Sequence, residues 1–294
     1  MRIHKNVIKA ACLLLLAAAA AAGAFLLQGS RWTVTQYASD SGGQGMFYTV
    51  TDRRGYLAII DGGFDVDSGQ VLRQIRKHHN HVDAWIITHT HPDHVGAFNE
   101  IMADPGTRPE VDHIYTVKAN TERYRATARD YDDFSAHEDF AAAAAELPQV
   151  AYLEENDILD LGGLRMKVLS AWDERVDAMD SHLCNNGSLM FRLDAPRRSM
   201  LFCADVQKEM EPYILAGHRE ELAADYVQCG HHGNWGLTAE FYDLVSPKEA
   251  FLDGPAYLFE ESDLYDGYLL KKYFEEKGVV CHTFADAPSA VVLK

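Results

Sequence analysis

The sequence predicts an α/β domain built as a four-layer αββα sandwich, two β-sheets face to face with helices on both outer faces. Three observations predict it. β-Branched and aromatic runs gather in two separate stretches, helical periodicities are interleaved within each, and neither a solenoid-length repeat nor a low-complexity linker divides them. With 294 residues and 47% hydrophobic content, the chain is long enough to bury such a core.

Residues 1–30 stand apart from the rest. Arg2, Lys5 and Lys9 precede "AACLLLLAAAAAAGAFLL", an uncharged apolar stretch over residues 10–27. A basic leader before an apolar segment of this length reads as a signal anchor or signal peptide. Small residues in "AAGA" offer a cleavage site, but "FLLQGS" prolongs the apolar run, which favours an uncleaved helix with its basic end in the cytoplasm. Residues 31–294 are then an extracytoplasmic domain held at the cell membrane, or a secreted one if the segment is removed. Cys12 is a poor lipidation site, because Lys9 lies three residues before it and most of the apolar run follows it.

From Arg31, "RWTVTQYA", "GMFYTVTD" and "YLAIIDGG" are strand-like runs separated by "SDSGGQG" and "DRRG", so they read as successive antiparallel strands. "SGQVLRQIRKHHN" carries Val71, Leu72 and Ile75 at helical spacing, "VDAWIITH" returns to a strand, "VGAFNEIMAD" to a helix and "HIYTVKAN" to a strand. Residues 119–148 are charged, Ala-rich helical material, either an insertion over a site or ordinary surface helix. A second strand-rich section follows with "QVAYLEE", "DILDLGGLRMKVLSA" around a Gly-Gly turn, "SLMFRLDAPRRSMLFCAD" around a Pro-Arg-Arg turn, and "DYVQCGHHG". Helical "TAEFYDLVS" and "DGYLLKKYFEEKG" flank the strand "EAFLDG", and the chain closes on "VVCHTFA" and "SAVVLK".

Charge narrows the partners. Residues 1–30 hold three cations and no acid, which leaves 24 Lys plus Arg against 44 Asp plus Glu, a net −20, in residues 31–294. Such a surface repels polyanions, and no Lys/Arg stripe tracks a nucleic-acid backbone. Four cysteines remain there, Cys184, Cys203, Cys229 and Cys281, with no CxxC spacing. They read as buried free thiols, with one disulfide as the alternative in an oxidising compartment.

The chemistry concentrates in "THTHPDHVGA", residues 88–97. If the apolar run before it is a strand, His89 and His91 continue it two residues apart and point the same way. Pro92 ends the extended segment, and a helix starting near Val95 presents Asp93 and His94 from its N-terminal edge. Imidazoles with a carboxylate suit Zn, with Mn or Fe as competitors, and the split into His89 with His91 and Asp93 with His94 suits two adjacent divalent ions. The other histidine cluster, "KHHNH" at residues 77–81, follows a basic helix without a carboxylate at ligand spacing and reads as solvated surface.

"HTHPDH" resembles the His-x-His-x-Asp-His signature of the metallo-β-lactamase-fold hydrolases. Further stretches look like other parts of that pattern in the same order. "YLAIIDGG" is similar to the strand ending in Asp-Gly-Gly, with Asp61 supporting the metal loop; "SMLFCAD" to the strand ending at a bridging aspartate, Asp205; and "DYVQCGHHGN" to the strand delivering the last histidine. The resemblance implies His232 as that ligand, with His231 in contact with substrate or supporting the ligands. One departure stands out. Many members place another histidine in a Gly-His-Thr context before the bridging aspartate, whereas this chain reads "AWDERVDAMDSHLCNNGSLMFRL", with His182 the one candidate. "NNGSLMFRL" instead resembles the branch containing the hydrolase domain of the bacterial DNA-uptake channel and the cell-wall phosphorylcholine esterases, which makes Asn186 and Ser188 site-lining candidates beside the reading of a plain β-turn.

These resemblances imply a metal-dependent hydrolase in which a hydroxide held by two metals attacks a phosphodiester or related ester, with Asp93 orienting it and His231 acting on the developing charge or the leaving group. Trp172, Trp235, Tyr257 and Phe259 either form an aromatic seat for a cationic head group or pack in the core. The substrate is then a small molecule or a cell-envelope component. A lactonase or β-lactamase, a nuclease, and a membrane-tethered binding module without activity are the alternatives.

Overall fold

The computed structural model describes residues 31–294 apart from 107, 130, 131, 263 and 286; the expected membrane segment, residues 1–30, lies outside them. Among the described residues no helix is long and apolar enough to cross a membrane. Three antiparallel strands open the fold, β1 (Trp32–Gln36), β2 (Phe47–Asp52) and β3 (Leu57–Asp61). Helix α1 (Ser68–Lys77), strand β4 (His81–Ile86), helix α2 (Pro92–Ala103) and strand β5 (Glu110–Val117) follow, with β3, β4 and β5 parallel. Helices α3 (Thr121–Thr127) and α4 (Phe134–Glu146) lead to β6 (Val150–Leu153), which pairs parallel with β5.

The second sheet begins with the hairpin β7 (Ile158–Leu161) and β8 (Leu164–Ser170), whose turn residues Gly162 and Gly163 both have positive φ, as a tight two-residue turn requires. Short helices α5 (Glu174–Asp177) and α6 (Leu183–Asn186) precede the hairpin β9 (Met190–Asp194) and β10 (Ser199–Phe202). Then come α7 (Glu211–His218), β11 (Tyr226–Gln228), α8 (Ala239–Val245), β12 (Glu249–Pro255), α9 (Gly267–Glu276), β13 (Val280–Phe284) and β14 (Ser289–Leu293). The sheet orders are β14-β1-β2-β3-β4-β5-β6 and β13-β12-β11-β10-β9-β8-β7.

Two findings differ from a division into halves. Strand β6, which opens the second strand-rich stretch of sequence, stays at the edge of the first sheet, and β14 returns to that sheet beside β1. Strand periodicity identifies such segments but carries no information on their partners.

Period-two alternation sorts the inner strands between two apolar layers. On β3, Ala58 and Ile60 face the core between the sheets, while Leu57 and Ile59 face the outer layer with Val71 and Ile75 of α1 and Val95, Phe98 and Ile101 of α2. Strand β3 is therefore buried at all five positions. The helix after the histidine motif begins at Pro92, three residues earlier than the sequence suggests. The proline occupies its first turn, where a missing N–H costs nothing, so Asp93 and His94 lie within that turn.

Gly96 sets how closely α2 approaches the loop after β3. A Cβ there would sit 2.6 Å from the Asp65 amide nitrogen and 2.8 Å from the Phe64 carbonyl carbon. Alanine is favoured over glycine by about 1 kcal/mol in a helix interior, but forcing atoms into packed backbone costs about 1–3 kcal/mol. Gly96→Ala is expected to lower the denaturant midpoint with little change in slope; a variant as stable as the parent would show that the helix is free to shift.

Candidate metal centre

Asp61, the last residue of β3, turns out of the strand at φ 54° and is fully buried. Its Oδ1 accepts the Thr88 amide at 2.7 Å, and its Oδ2 accepts both the Thr88 hydroxyl and His94 Nδ1, each at 2.7 Å. A carboxylate only accepts, so Nδ1 of His94 carries the hydrogen and Nε2 is left with its lone pair. The Thr88 hydroxyl gives its proton to Asp61, so its oxygen accepts from His89 Nδ1 at 3.2 Å and leaves Nε2 of His89 free as well. His91 is held differently, by its Nε2 donating to Asp132 Oδ1 at 3.1 Å.

The other half comes from the second sheet. Beyond β10, Ala204 adopts φ 46° and Asp205 follows; the amides of Cys203 and Ala204 both donate to Gln228 Oε1, at 3.0 and 2.7 Å. Beyond β11, His231 and His232 have φ 50° and 59°, and the His231 amide donates to the Ala204 carbonyl at 2.9 Å. Non-glycine residues with positive φ cost about 1–3 kcal/mol each, and here they gather where two loops meet.

The free nitrogens converge. His89 Nε2 lies 3.2 Å from His91 Nδ1, and His94 Nε2 lies 3.3 Å from His232 Nε2 and 3.2 Å from Asp205 Oδ1. His232 Nε2 is 3.0 Å from Asp93 Oδ2 and 3.4 Å from Asp205 Oδ2. His89 with His91 and Cys184, His89 with His94 and Asp205, and Asp93 with His94 and His232 each bring potential ligand atoms within 4.8 Å of one another. Lone pairs aimed at each other and at carboxylates repel unless a cation or protons lie between them, so these residues fit divalent metal. Asp205 Oδ1, buried and with no hydrogen bond of satisfactory geometry although His94 Nε2 lies 3.2 Å away, points the same way.

Without metal, protons take that role. Burial disfavours the His232 imidazolium, but Asp205 and Asp93 outweigh it and push His232 up to about 10. Burial also opposes charge on His94, which Asp205 and Asp61 nevertheless raise well above the usual imidazole range. Asp205 is driven well below the usual carboxylate range, its burial outweighed by His232 and His94. Burial holds His89 and His231 below the usual imidazole range. Burial pushes the Cys184 thiol up, but the neighbouring His91 pulls it lower in balance.

Beside the cluster lies a cavity of about 1010 Å³, lined by His91, Asp93, Asp205 and His231 and also by Trp235, Leu269 and Leu270. His182 lines this cavity but belongs to none of the converging ligand groups among the described residues. Asn186 is not among its lining residues, its Oδ1 accepting the Gln207 amide at 3.1 Å, and Ser188 is fully buried. Asn185 is the asparagine on the cavity wall. Of the four aromatic residues, Trp235 lines the main cavity, Trp172 lines a second one of about 210 Å³ that also reaches His89 and Cys184, and Phe259 packs in the core. Exposed Tyr257 donates its hydroxyl to the Gly42 carbonyl at 3.4 Å. The four cysteines of this part are free.

Sequence reasoning missed Asp132, Asn185, Gln44 and the closeness of Cys184 to His91. Asp132 is one of several acids in residues 119–148 and nothing local marks it. Gln44, whose Nε2 donates to Asp93 Oδ2 at 3.4 Å, sits in a glycine-rich loop that reads as a turn. Cys184 was legible in one respect, standing two residues beyond His182 in the stretch lacking the expected histidine.

A family model described as "Metallo-beta-lactamase superfamily" matches residues 41–251. Among curated proteins there is no significant match. Solved structures are similar in fold. The metallo-beta-lactamase fold protein YhfI from Bacillus subtilis superposes with a TM-score of 0.52 at 14% identity, over 88% of this chain and 99% of that one. CmlA, a diiron beta-hydroxylase from Streptomyces venezuelae, gives 0.56 at 13% identity over 89% of this chain and 54% of its own. A diphosphatase from the PhnP family gives 0.50 at 11% identity over 90% and 98%.

Metal must displace the protons that these imidazoles hold. Stabilisation of the metal-free protein by His232 is fully present below the unfolded value of about 6.5 and is lost as pH rises through about 10. Apparent metal affinity should therefore rise with pH between about 6 and 9, with proton release on binding. Calorimetric titrations in buffers of different ionisation enthalpy measure both, and a pH-independent affinity would contradict protonated ligands.

Proposed function

The chain belongs to the metallo-beta-lactamase superfamily, and from that premise we propose that this metal-dependent hydrolase cleaves a phosphodiester or related ester using two metal ions. The observation that carries the reading is the position of Asp205, whose two oxygens face His94 at 3.2 Å, His232 at 3.4 Å and His89 at 3.8 Å. A carboxylate so placed joins one site held by His89 and His91 to another held by Asp93, His94 and His232. Their donors suit Zn, with Mn or Fe as competitors. When bound, such ions supply Lewis acidity at both the attacking and leaving oxygens and make a water acidic enough to ionise near neutral pH, which suits in-line displacement at phosphorus.

The chain's own groups complete the chemistry. Asp93, which lines the cavity, orients the attacking water. His231 donates Nδ1–H to the Asn234 carbonyl at 2.5 Å, so its Nε2 faces the cavity 4.0 Å from Asp205 Oδ2. Burial keeps this imidazole neutral at rest. An anionic ester seated beside it favours protonation of Nε2 from solvent, and the ring then passes that proton to the leaving oxygen as its bond to phosphorus breaks and the water oxygen bonds in its place.

The lining supports a small substrate. Phe64, Trp235, Leu237, Leu269 and Leu270 form apolar wall, with Lys208 as a cation beside acidic Glu209 and Asp266. That suits an ester with an apolar alcohol part more than a polyanion, as does the net −20 of residues 31–294. Fold neighbours described as a diphosphatase and a diiron hydroxylase share the scaffold, so the reading rests on the site. We also propose that residues 1–30 hold the domain at the outer face of the cell membrane, close to a cell-envelope substrate.

Purified protein is expected to hydrolyse bis(p-nitrophenyl) phosphate and to leave nitrocefin and simple lactones intact; the reverse order would overturn the phosphodiester assignment. His231→Ala should lower kcat by about 10²–10⁴-fold with metal content unchanged. Less than one metal equivalent under replete conditions, with no effect of His89→Ala, would mark a binding module. Residues 1–30 fused to a reporter active only outside the cytoplasm should yield membrane-bound activity, and an inactive cytoplasmic fusion would refute export.

A further inference from the structure

The first of the two proposed sites has only two imidazoles, His89 and His91. The region where a third would be expected offers His182, which stands at the cavity wall and in none of the ligand groups. Two residues further on, the thiol of Cys184 comes within 4.8 Å of ligand nitrogens of both His89 and His91, and all three residues are buried. Resting on the two-metal reading, we propose that the Cys184 thiolate is the third protein donor of the His89–His91 site.

Several contacts hold the thiol there. Helix α6 is a single turn, closed by Asn186 N donating to His182 O at 2.9 Å and Gly187 N to Leu183 O at 2.8 Å. Gly187 lets the turn seat under Trp172: a Cβ would run into the indole and lie 2.9 Å from the Leu183 carbonyl oxygen. Leu189 N donates to the Thr88 carbonyl at 2.9 Å, so this turn is tied directly to the histidine loop. Thr90 Oγ1, between the two histidines, contacts Cys184 Sγ at 3.7 Å.

A second observation is independent of the thiol. The neighbouring Asn185 is 3% exposed and lines the cavity with His91 and Asp205, yet its buried Oδ1 has no hydrogen-bond partner among the described residues. A carbonyl oxygen in this position costs about 1–3 kcal/mol if left unpaired, and a cation or its water shell would satisfy it. The other cysteines lack such company. Cys203 and Cys229 belong to the apolar core, and the nearest polar partners of Cys281 Sγ are the Lys271 and Val279 carbonyls at 3.9 and 4.0 Å. A structural thiol is adequately housed in apolar packing, whereas this one stands among imidazoles. Binding would release the thiol proton to solvent, and a thiolate donor favours Zn over Mn at this site.

The test is the absorption spectrum of the full-length protein loaded with Co(II). The parent should bind two equivalents and show a near-ultraviolet thiolate-to-Co(II) charge-transfer band. Cys184→Ser should abolish the band and weaken one of the two equivalents by at least about tenfold, while Cys281→Ser keeps both. Cys184→His should bind two equivalents without the band, which decides the matter even if the serine variant fails to fold. Two bound equivalents with no such band, or a band that survives Cys184→Ser, overturns the thiolate ligand and leaves the two-metal reading standing. A parent that binds less than one equivalent removes that reading and this inference with it.

Discussion

One buried carboxylate decides which way two imidazoles of this site, His94 and His89, face. Asp61 accepts three hydrogen bonds, from the Thr88 amide, the Thr88 hydroxyl and His94 Nδ1. Because it only accepts, it sets the tautomer of His94 directly and that of His89 through the Thr88 hydroxyl. An unpaired carboxylate at that depth would be prohibitively costly, so the fold satisfies Asp61 completely, and Trp85 Nε1 donates to its carbonyl at 2.9 Å as well. Strand β3 carries this residue at its end, buried on both faces, which ties the direction of two imidazoles to the most enclosed strand of the first sheet.

Asp205 and His232 come from the second sheet, so a working site needs the two sheets fixed against each other. A buried polar network does this between them. Asp253 on β12 accepts from Gln36 Nε2 at 2.7 Å and Tyr48 Oη at 2.5 Å, both of the first sheet, and from Gln228 Nε2 at 2.9 Å. Gln228 then accepts the amides of Cys203 and Ala204, just before Asp205. This chain of bonds sets the height of Asp205 relative to the first sheet. Left-handed backbone at Ala204, His231 and His232 is held by it and by the hydrogen bond from the His231 amide to the Ala204 carbonyl, consistent with strain stored where structure on every side over-determines it.

The layering and the histidine motif were legible because periodicity and ligand spacing are local. Alternation on β3, the Gly-Gly turn at 162–163 and the proline opening α2 are each encoded within a few residues. Pairing is not: the return of β14 to β1 and the retention of β6 in the first sheet depend on how long connections fold over the molecule. The same distinction runs through the site. His89, His91, Asp93 and His94 lie in one motif, but Asp132 and Asp253 are ordinary in their own neighbourhoods and find their partners far away, Asp132 in His91 at 41 positions and Asp253 in the opposite sheet. Within the Asn-rich turn, Asn186 accepts the Gln207 amide and Asn185 lines the cavity, a division that composition alone does not encode.

Residues 119–148 hold both a packed surface helix and a contact to the histidine loop. Helix α4 packs Ala136, Phe140 and Ala144 into the outer apolar layer like any surface helix. Between α3 and α4, however, Asp132 receives His91 Nε2, doing for this imidazole what Asp61 does for His94. The two supports differ in kind. Asp61 is set by a buried strand, whereas Asp132 is set by a loop whose own partners are the Arg129 amide and the Tyr124 hydroxyl at its carbonyl. His91 is also the imidazole beside Cys184, so the carboxylate that orients it acts on the half of the site where the proposed donor set departs from the family pattern.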